Sequence, residues 1–378
     1  MVKRWLRWLL PALAVLVLAL AVSWARAALE AASVLLAMVG ARDPSGLTAL
    51  VRDEVEQQPL RLALAGTSLR ALRYRPVNAA AANSKPILLL HGVHPDGIDH
   101  RDLQRFARAL AGVGLTVYTP ELPALTRFRL EPATIDTIEQ CACSVAQRHG
   151  GKAPGVFGIS FAGGLALMAA AGDGGASCFD QVVGIGAHHS IGRLLGFYTG
   201  APGQDPDGRP APVRPDPYGA RVLAYAFSQD LFAPADLEIA RRALLLWLEN
   251  HKSRARAELE RVGPDGRELL GDLLTDAALP APSAQALAAL PSRQKATLER
   301  LSPAGKMAGV GVPVFLIHGQ GDRVIPASET RQLANELPAQ SRKAVLITPL
   351  LGHTELEARP SFGEHLAVVA WLTRVLAR

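Results

Sequence analysis

Apolar residues along the chain fall into alternating short and long patterns. Between residues 86 and 186, short runs that are apolar almost throughout alternate with longer stretches whose apolar positions recur at helical spacing. Residues 86–90, 115–119, 155–158 and 181–186 are predicted as strands, and 103–111, 134–148 and 163–171 as helices. Strands without polar alternation are covered on both faces, so the pattern predicts a mostly parallel central sheet flanked by helices. Strand rhythm returns at 312–317 and 343–348, and a last helix is predicted over 362–376.

Two stretches depart from this rhythm. Residues 191–302 lack strand signals, hold a Pro/Gly-rich stretch at 200–217 and then show helical patterns at 237–248 and 254–274. They predict a helical cap inserted over the carboxyl edge of the sheet. Its residues Leu194, Leu195, Phe197 and Tyr198 are candidates to touch substrate or lipid, although packing within the cap explains them as well. Ahead of the sheet, residues 60–74 hold two β-prone stretches around Gly66-Thr67-Ser68, a hairpin signal, and Ala31, Val34, Leu35 and Met38 keep helical spacing in a connecting helix.

The N-terminus carries a membrane signal. Lys3, Arg4 and Arg7 precede an uncharged stretch from Trp8 to Ala25, close to the ~20 residues that cross the hydrocarbon layer as a helix. Cations on the N-terminal side predict that this end stays in the cytoplasm, and Trp8 and Trp24 fall where aromatic residues anchor at the interfaces. The remainder is therefore expected on the non-cytoplasmic side, periplasmic or extracellular. Ala25-Arg26-Ala27 also has the form of a signal cleavage site, and cleavage there would release the domain as a secreted protein.

Composition changes this picture little. At 49 % hydrophobic and 20 % charged residues the chain is globular, and its net charge of +6 comes from dispersed arginines with no basic run interleaved with aromatics. Nucleic acid is not an expected partner. Cys141, Cys143 and Cys178 form no CxxC pair and no zinc pattern, so no metal is expected, and a bridge from Cys178 to Cys141 or Cys143 is open in an oxidising compartment.

Candidate chemistry lies at the ends of the predicted strands. Gly158-Ile159-Ser160-Phe161-Ala162 sets a serine where a strand passes into a helix, with small residues two before and two after it. Residues 87–93 run from an apolar strand into His91-Gly92-Val93, whose backbone amides can face that serine; His91 itself is expected to prop the loop. Residues 314–326 form a strand that leads to His318-Gly319-Gln320-Gly321-Asp322, and Gly352-His353 follows the final strand. Ser160 as nucleophile, His353 as general base and Asp322 as orienting carboxylate follow one another in the chain order of a known serine triad. The backbone N–H groups of Val93 and Phe161 are the candidate oxyanion donors. His188 and His189 are candidates to line the pocket, and His149, His251 and His365 read as surface residues.

Together the His-Gly, GxSxA, HGxxD and late Gly-His motifs resemble the α/β-hydrolase superfamily over most of residues 60–378, within it the serine esterase, lipase and dienelactone-hydrolase-like branch. The resemblance implies an α/β-hydrolase fold in an α/β class, with core segments 60–190 and 303–378 and the cap insertion 191–302 between them; ahead of it the apolar patterns give a linker helix in 27–59 and a transmembrane or signal segment in 1–26. It implies a small-molecule ester substrate and no cofactor; a membrane contact through the N-terminal helix is expected from the apolar run itself. The same triad also serves acyltransferases, thioesterases and amidases. A membrane-tethered binding protein without activity is the nonenzymatic alternative.

Overall fold

The computed structural model describes residues 21–38, 46–77, 84–172, 175–210, 213–353 and 361–377. Of the expected transmembrane run Trp8 to Ala25, all but Ala21 to Ala25 lies outside these residues.

Eight strands form one sheet: β1 (Val55–Leu64), β2 (Thr67–Pro76), β3 (Pro86–Leu90), β4 (Thr116–Pro120), β5 (Gly155–Ile159), β6 (Gln181–Ile185), β7 (Val314–Gly319) and β8 (Arg342–Thr348). Their order is β1-β2-β4-β3-β5-β6-β7-β8, with β2 antiparallel to both β1 and β4 and every pair from β4 to β8 parallel. With the strand–serine–helix turn after β5, this is the α/β-hydrolase fold. The β1/β2 hairpin is longer than its sequence signal. Its turn is Ala65-Gly66, with Gly66 at φ 74°, and Thr67 and Ser68 already pair in β2 instead of forming the turn.

Because successive strand residues face opposite ways, β3 splits its apolar run between two cores. Leu88 and Leu90 join Val156, Val182 and Leu316 under the helices Ala133–Arg148 and Phe161–Ala171. Ile87 and Leu89 join Phe157, Val183 and Phe315 on the other face, under the helices Arg101–Gly112 and Phe362–Leu376. The last helix starts with a capping box, Ser361 accepting from the Glu364 N–H and Glu364 from the Ser361 N–H.

A further helix, Ala21–Met38, packs on this second face through Ala31, Val34 and Leu35. It is long and apolar enough to cross a membrane, with a mean hydropathy of 1.3, yet it carries the Arg26–Glu30 ion pair at 2.9 Å and is partly buried in the protein.

Between β6 and β7 the chain makes helices that include Ile191–Tyr198, Pro217–Ala226, Leu237–Leu248 and Pro264–Leu273. Its two ends meet, the Ile191 N–H donating to Ser302 Oγ at 2.9 Å. It is tied to the carboxyl edge of the sheet by the Tyr218 hydroxyl on the Val93 carbonyl (2.8 Å), the Tyr198 hydroxyl on the Val324 carbonyl (2.6 Å) and the Asp216 N–H on the Arg323 carbonyl (2.7 Å). Leu194, Leu195, Phe197 and Tyr198 are buried in the core, the packing alternative for these residues.

Candidate active site

At the end of β5 the backbone turns so sharply that a Cβ on Gly158 would lie 2.6 Å from Gly163 Cα and 2.7 Å from the Ala162 carbonyl oxygen. Glycine is required at 158, whereas Ala162 fits. Gly163 is equally constrained, since its Cβ would lie 2.8 Å from the Gly158 oxygen and 2.9 Å from Ala187 Cβ. Sequence reading missed this third small position because the second contact comes from the loop after β6. Ser160 itself sits at φ 56°, ψ −129°, a conformation that costs a non-glycine residue about 1–3 kcal/mol and persists only where neighbours hold it. Here its N–H is held by the Ile185 carbonyl at 2.7 Å.

Ser160, His353 and Asp322 are brought together from three separate strand ends. Ser160 Oγ lies 2.9 Å from His353 Nε2, and His353 Nδ1 lies 2.7 Å from Asp322 Oδ2. Nδ1 facing a carboxylate carries the hydrogen, which leaves Nε2 as the acceptor for the serine hydroxyl. The other carboxylate oxygen of Asp322 accepts from the N–H groups of Val324 (2.8 Å) and Ile325 (2.9 Å).

His318 completes the surroundings of Asp322. Its Nε2 lies 3.1 Å from Asp322 Oδ2 and 2.7 Å from the Ile325 carbonyl, both acceptors, so Nε2 carries a hydrogen; its Nδ1 lies 2.6 Å from Thr330 Oγ1. Burial, the largest effect, drives the Asp322 carboxyl upward, but hydrogen bonds from His318 and His353 and the electrostatic attraction of those rings outweigh it and bring it to about 2. The HGxxD motif contained His318, but nothing in it showed that the ring turns back onto the aspartate.

The loop after β3 passes against the serine. A Cβ on Gly92 would lie 3.2 Å from Ser160 Cβ and 3.7 Å from its Oγ, so the Gly92–Val93 peptide borders the serine. His91 holds that peptide: its Nδ1–H donates to the Gly92 carbonyl at 2.7 Å, and its Nε2 accepts the Leu122 N–H at 2.9 Å. In a trans peptide the C=O and N–H point opposite ways, so pinning the Gly92 carbonyl also sets the direction of the Val93 N–H. Burial lowers His91 to about 4, against a weaker upward effect of the Gly92 bond, which keeps the ring neutral. Phe161 opens the helix Phe161–Ala171, where a first-turn N–H has no acceptor within the helix.

His188 and His189, expected at the pocket, are not among its lining residues. His188 is buried and stacked on Phe161 with ring centroids 4.7 Å apart, and burial, opposed by its bond to the Leu301 carbonyl, lowers it to about 4. His189 is engaged by Glu336 and Arg193. A cavity of about 770 Å³ reaches Ser160 and His353, and among the described residues of the insertion only Asp216 and Tyr218 line its wall.

No family model and no curated protein matches the chain. Solved structures similar to it include the 2-hydroxy-6-oxo-6-phenylhexa-2,4-dienoate hydrolase of Rhodococcus sp. strain RHA1, at 18 % identity over 79 % of this chain and 93 % of that one, with a TM-score of 0.44. The acylaminoacyl peptidase of Pyrococcus horikoshii matches at 12 % identity over 89 % of this chain and 43 % of its own, with a TM-score of 0.48. Dipeptidyl peptidase 4 of Porphyromonas gingivalis matches at 10 % identity over 87 % and 36 %, with a TM-score of 0.49.

Proposed function

We propose that the protein is a serine hydrolase that cleaves carboxylic esters through an acyl-enzyme. The observation that carries this reading is the unbroken hydrogen-bonded path from Ser160 Oγ through His353 to Asp322, opening on a cavity. Ser160 attacks the ester carbonyl as His353 Nε2 takes its proton; Asp322 holds the ring and stabilises the charge it gains. The oxyanion is received by the N–H groups of Val93 and Phe161, donors worth roughly 3 kcal/mol each in comparable sites. His353 returns the proton to the leaving alcohol, and water then attacks the acyl-enzyme by the same route in reverse.

The domain is read as exported and tethered by its N-terminal segment. A Cys143–Cys178 disulfide supports this, since such bonds persist in oxidising compartments, while Cys141 stays free and buried. The test is labelling of the full-length protein with a fluorophosphonate, followed by mass spectrometry of the modified peptide. Label on Ser160, lost in Ser160→Ala, is the expected result; a folded wild type that takes no label, or takes it on another serine, overturns the reading.

A further inference from the structure

The cavity at Ser160 has two unlike walls. Polar lining residues such as His94, Asp216 and Arg323 come from segments at the carboxyl edge of the sheet. The apolar wall comes from three helices outside the insertion: Val34, Leu35 and Met38 from Ala21–Met38, Phe106 from Arg101–Gly112, and Trp371 and Leu372 from Phe362–Leu376. Ile159, Ile185 and Ile317, at the ends of β5, β6 and β7, line the same cavity and link the serine to that wall. A volume of about 770 Å³ falls within the ~300–1,000 Å³ of small-molecule sites.

The helix that supplies part of this wall is the one that leads back to the N-terminal apolar run. Its start is solvent-facing, with Val22 61 % and Trp24 55 % exposed, whereas Ala27, Ala31, Val34 and Leu35 are buried against the protein. At ~1.5 Å per residue, Trp24 and Val34 lie about 15 Å apart along the helix. The uncharged sequence Trp8 to Ala25 therefore ends one short helical segment from the cavity.

We propose that the apolar part of the cavity receives the acyl chain of a long-chain ester, and that the helix Ala21–Met38 holds this opening beside the bilayer from which such esters come. The proposal rests on Ser160 as the nucleophile. Apart from Asp102, at the start of Arg101–Gly112, the side chains that these three helices bring to the cavity are uncharged and apolar, which suits an unbranched chain, and each methylene moved from water into it strengthens binding about fourfold. The insertion, which among its described residues brings Asp216 and Tyr218 to the cavity, is not the source of this apolar wall.

The test compares kcat/KM for p-nitrophenyl palmitate and p-nitrophenyl butyrate in full-length wild type, Leu35→Trp and Met38→Trp, all reconstituted in phosphatidylcholine vesicles. Wild type is expected to favour palmitate, and filling the wall to lower the palmitate-to-butyrate ratio about a hundredfold, the equivalent of three to four excluded methylenes. An unchanged ratio in variants that still bind fluorophosphonate overturns the proposal. Met38 is half-buried at the helix end, so Met38→Trp serves if Leu35→Trp fails to fold. If wild type takes no label, the serine reading fails separately. The cavity is then tested by cis-parinaric acid fluorescence: saturable binding weakened by Leu35→Trp supports the acyl site, and no binding to wild type overturns it. Long-chain ester embedded in the enzyme's own vesicles or in separate ones identifies the source. Turnover confined to the enzyme's vesicles supports delivery from the bilayer, and equal turnover overturns it.

Discussion

Asp322 gathers donors from both sides: His353 and His318 on Oδ2, and the Val324 and Ile325 N–H groups on Oδ1. On the proposed mechanism His318 is a positioning residue, holding the carboxylate so that it meets His353 Nδ1. A hydrogen bond to a charged group is worth about 1.5–3 kcal/mol, so His318→Leu is expected to lower kcat roughly ten- to a hundredfold with little change in KM, while His318→Gln, which keeps a donor, restores part of the loss. Equal losses in both variants would assign His318 to packing alone. Two other histidines bear on stability. His91 and His188 lie at about 4 because burial disfavours their charged forms, against an ordinary value of 6.5. Below about 6.5 the unfolded chain takes up protons at these positions that the folded protein refuses until about 4. The unfolded state then binds more protons, so stability is complete above 6.5 and is lost as pH falls toward 4, by roughly 3 kcal/mol per histidine. Asp322, lowered from 3.8 to about 2, adds its loss only below that window. Urea midpoints measured from pH 7 to 4.5 should decline, and less steeply in His188→Gln; an equal slope in that variant would remove His188 as a cause.

Among the elements, those specified by local pattern are legible in the amino-acid order itself. The parallel strands, the helices between them and the turn at Ser160 follow from apolar runs and small residues adjacent in sequence, and Asp322 and His353 from their places after strands. Less legible is whatever depends on contacts distant in the chain. Gly163 needs Ala187, His318 needs Asp322 and Thr330, and the tautomer of His91 needs Leu122. Sequence alone leaves the pairing of Cys178 open between Cys141 and Cys143, two residues apart on one helix. Their side chains diverge by about 200° around the axis, so only one faces Cys178. The Cys143–Cys178 bond, with a sequence separation of 35, ties the helix Ala133–Arg148 to the segment that follows the helix Phe161–Ala171. Closing a loop of that length removes unfolded-state freedom worth about 4 kcal/mol, so Cys143→Ser is expected to lower the unfolding free energy by up to that amount. The same variant under reducing conditions should match reduced wild type; a remaining difference would point to packing at residue 143 and not to the bond.

At the scale of the whole molecule, the segment expected only to connect membrane and domain is instead built into the domain. Ala31, Val34 and Leu35 share an apolar core with Leu103, Phe106, Trp371 and Leu372, so the chain ahead of β1 closes one face of the sheet. Composition could not reveal this, because a tether and a docked helix share the same apolar periodicity and differ only in what lies opposite. The consequence separates the two fates considered for the N-terminus. Cleavage after Ala27 would remove the uncharged run yet leave Ala31, Val34 and Leu35 in place, so a secreted form would keep its fold and its cavity wall. A protein lacking residues 1–27 is therefore expected to be soluble, to unfold at the urea concentration of wild type and to retain fluorophosphonate labelling. Removing residues 1–38 instead strips two large aliphatic side chains and several alanines from the core, at about 1.5–3 kcal/mol for each large one, and the loss should appear as a lower urea midpoint. Equal stability of the two truncated proteins would mean that the helix rests on the domain without supporting it, and that the cavity keeps its shape unaided.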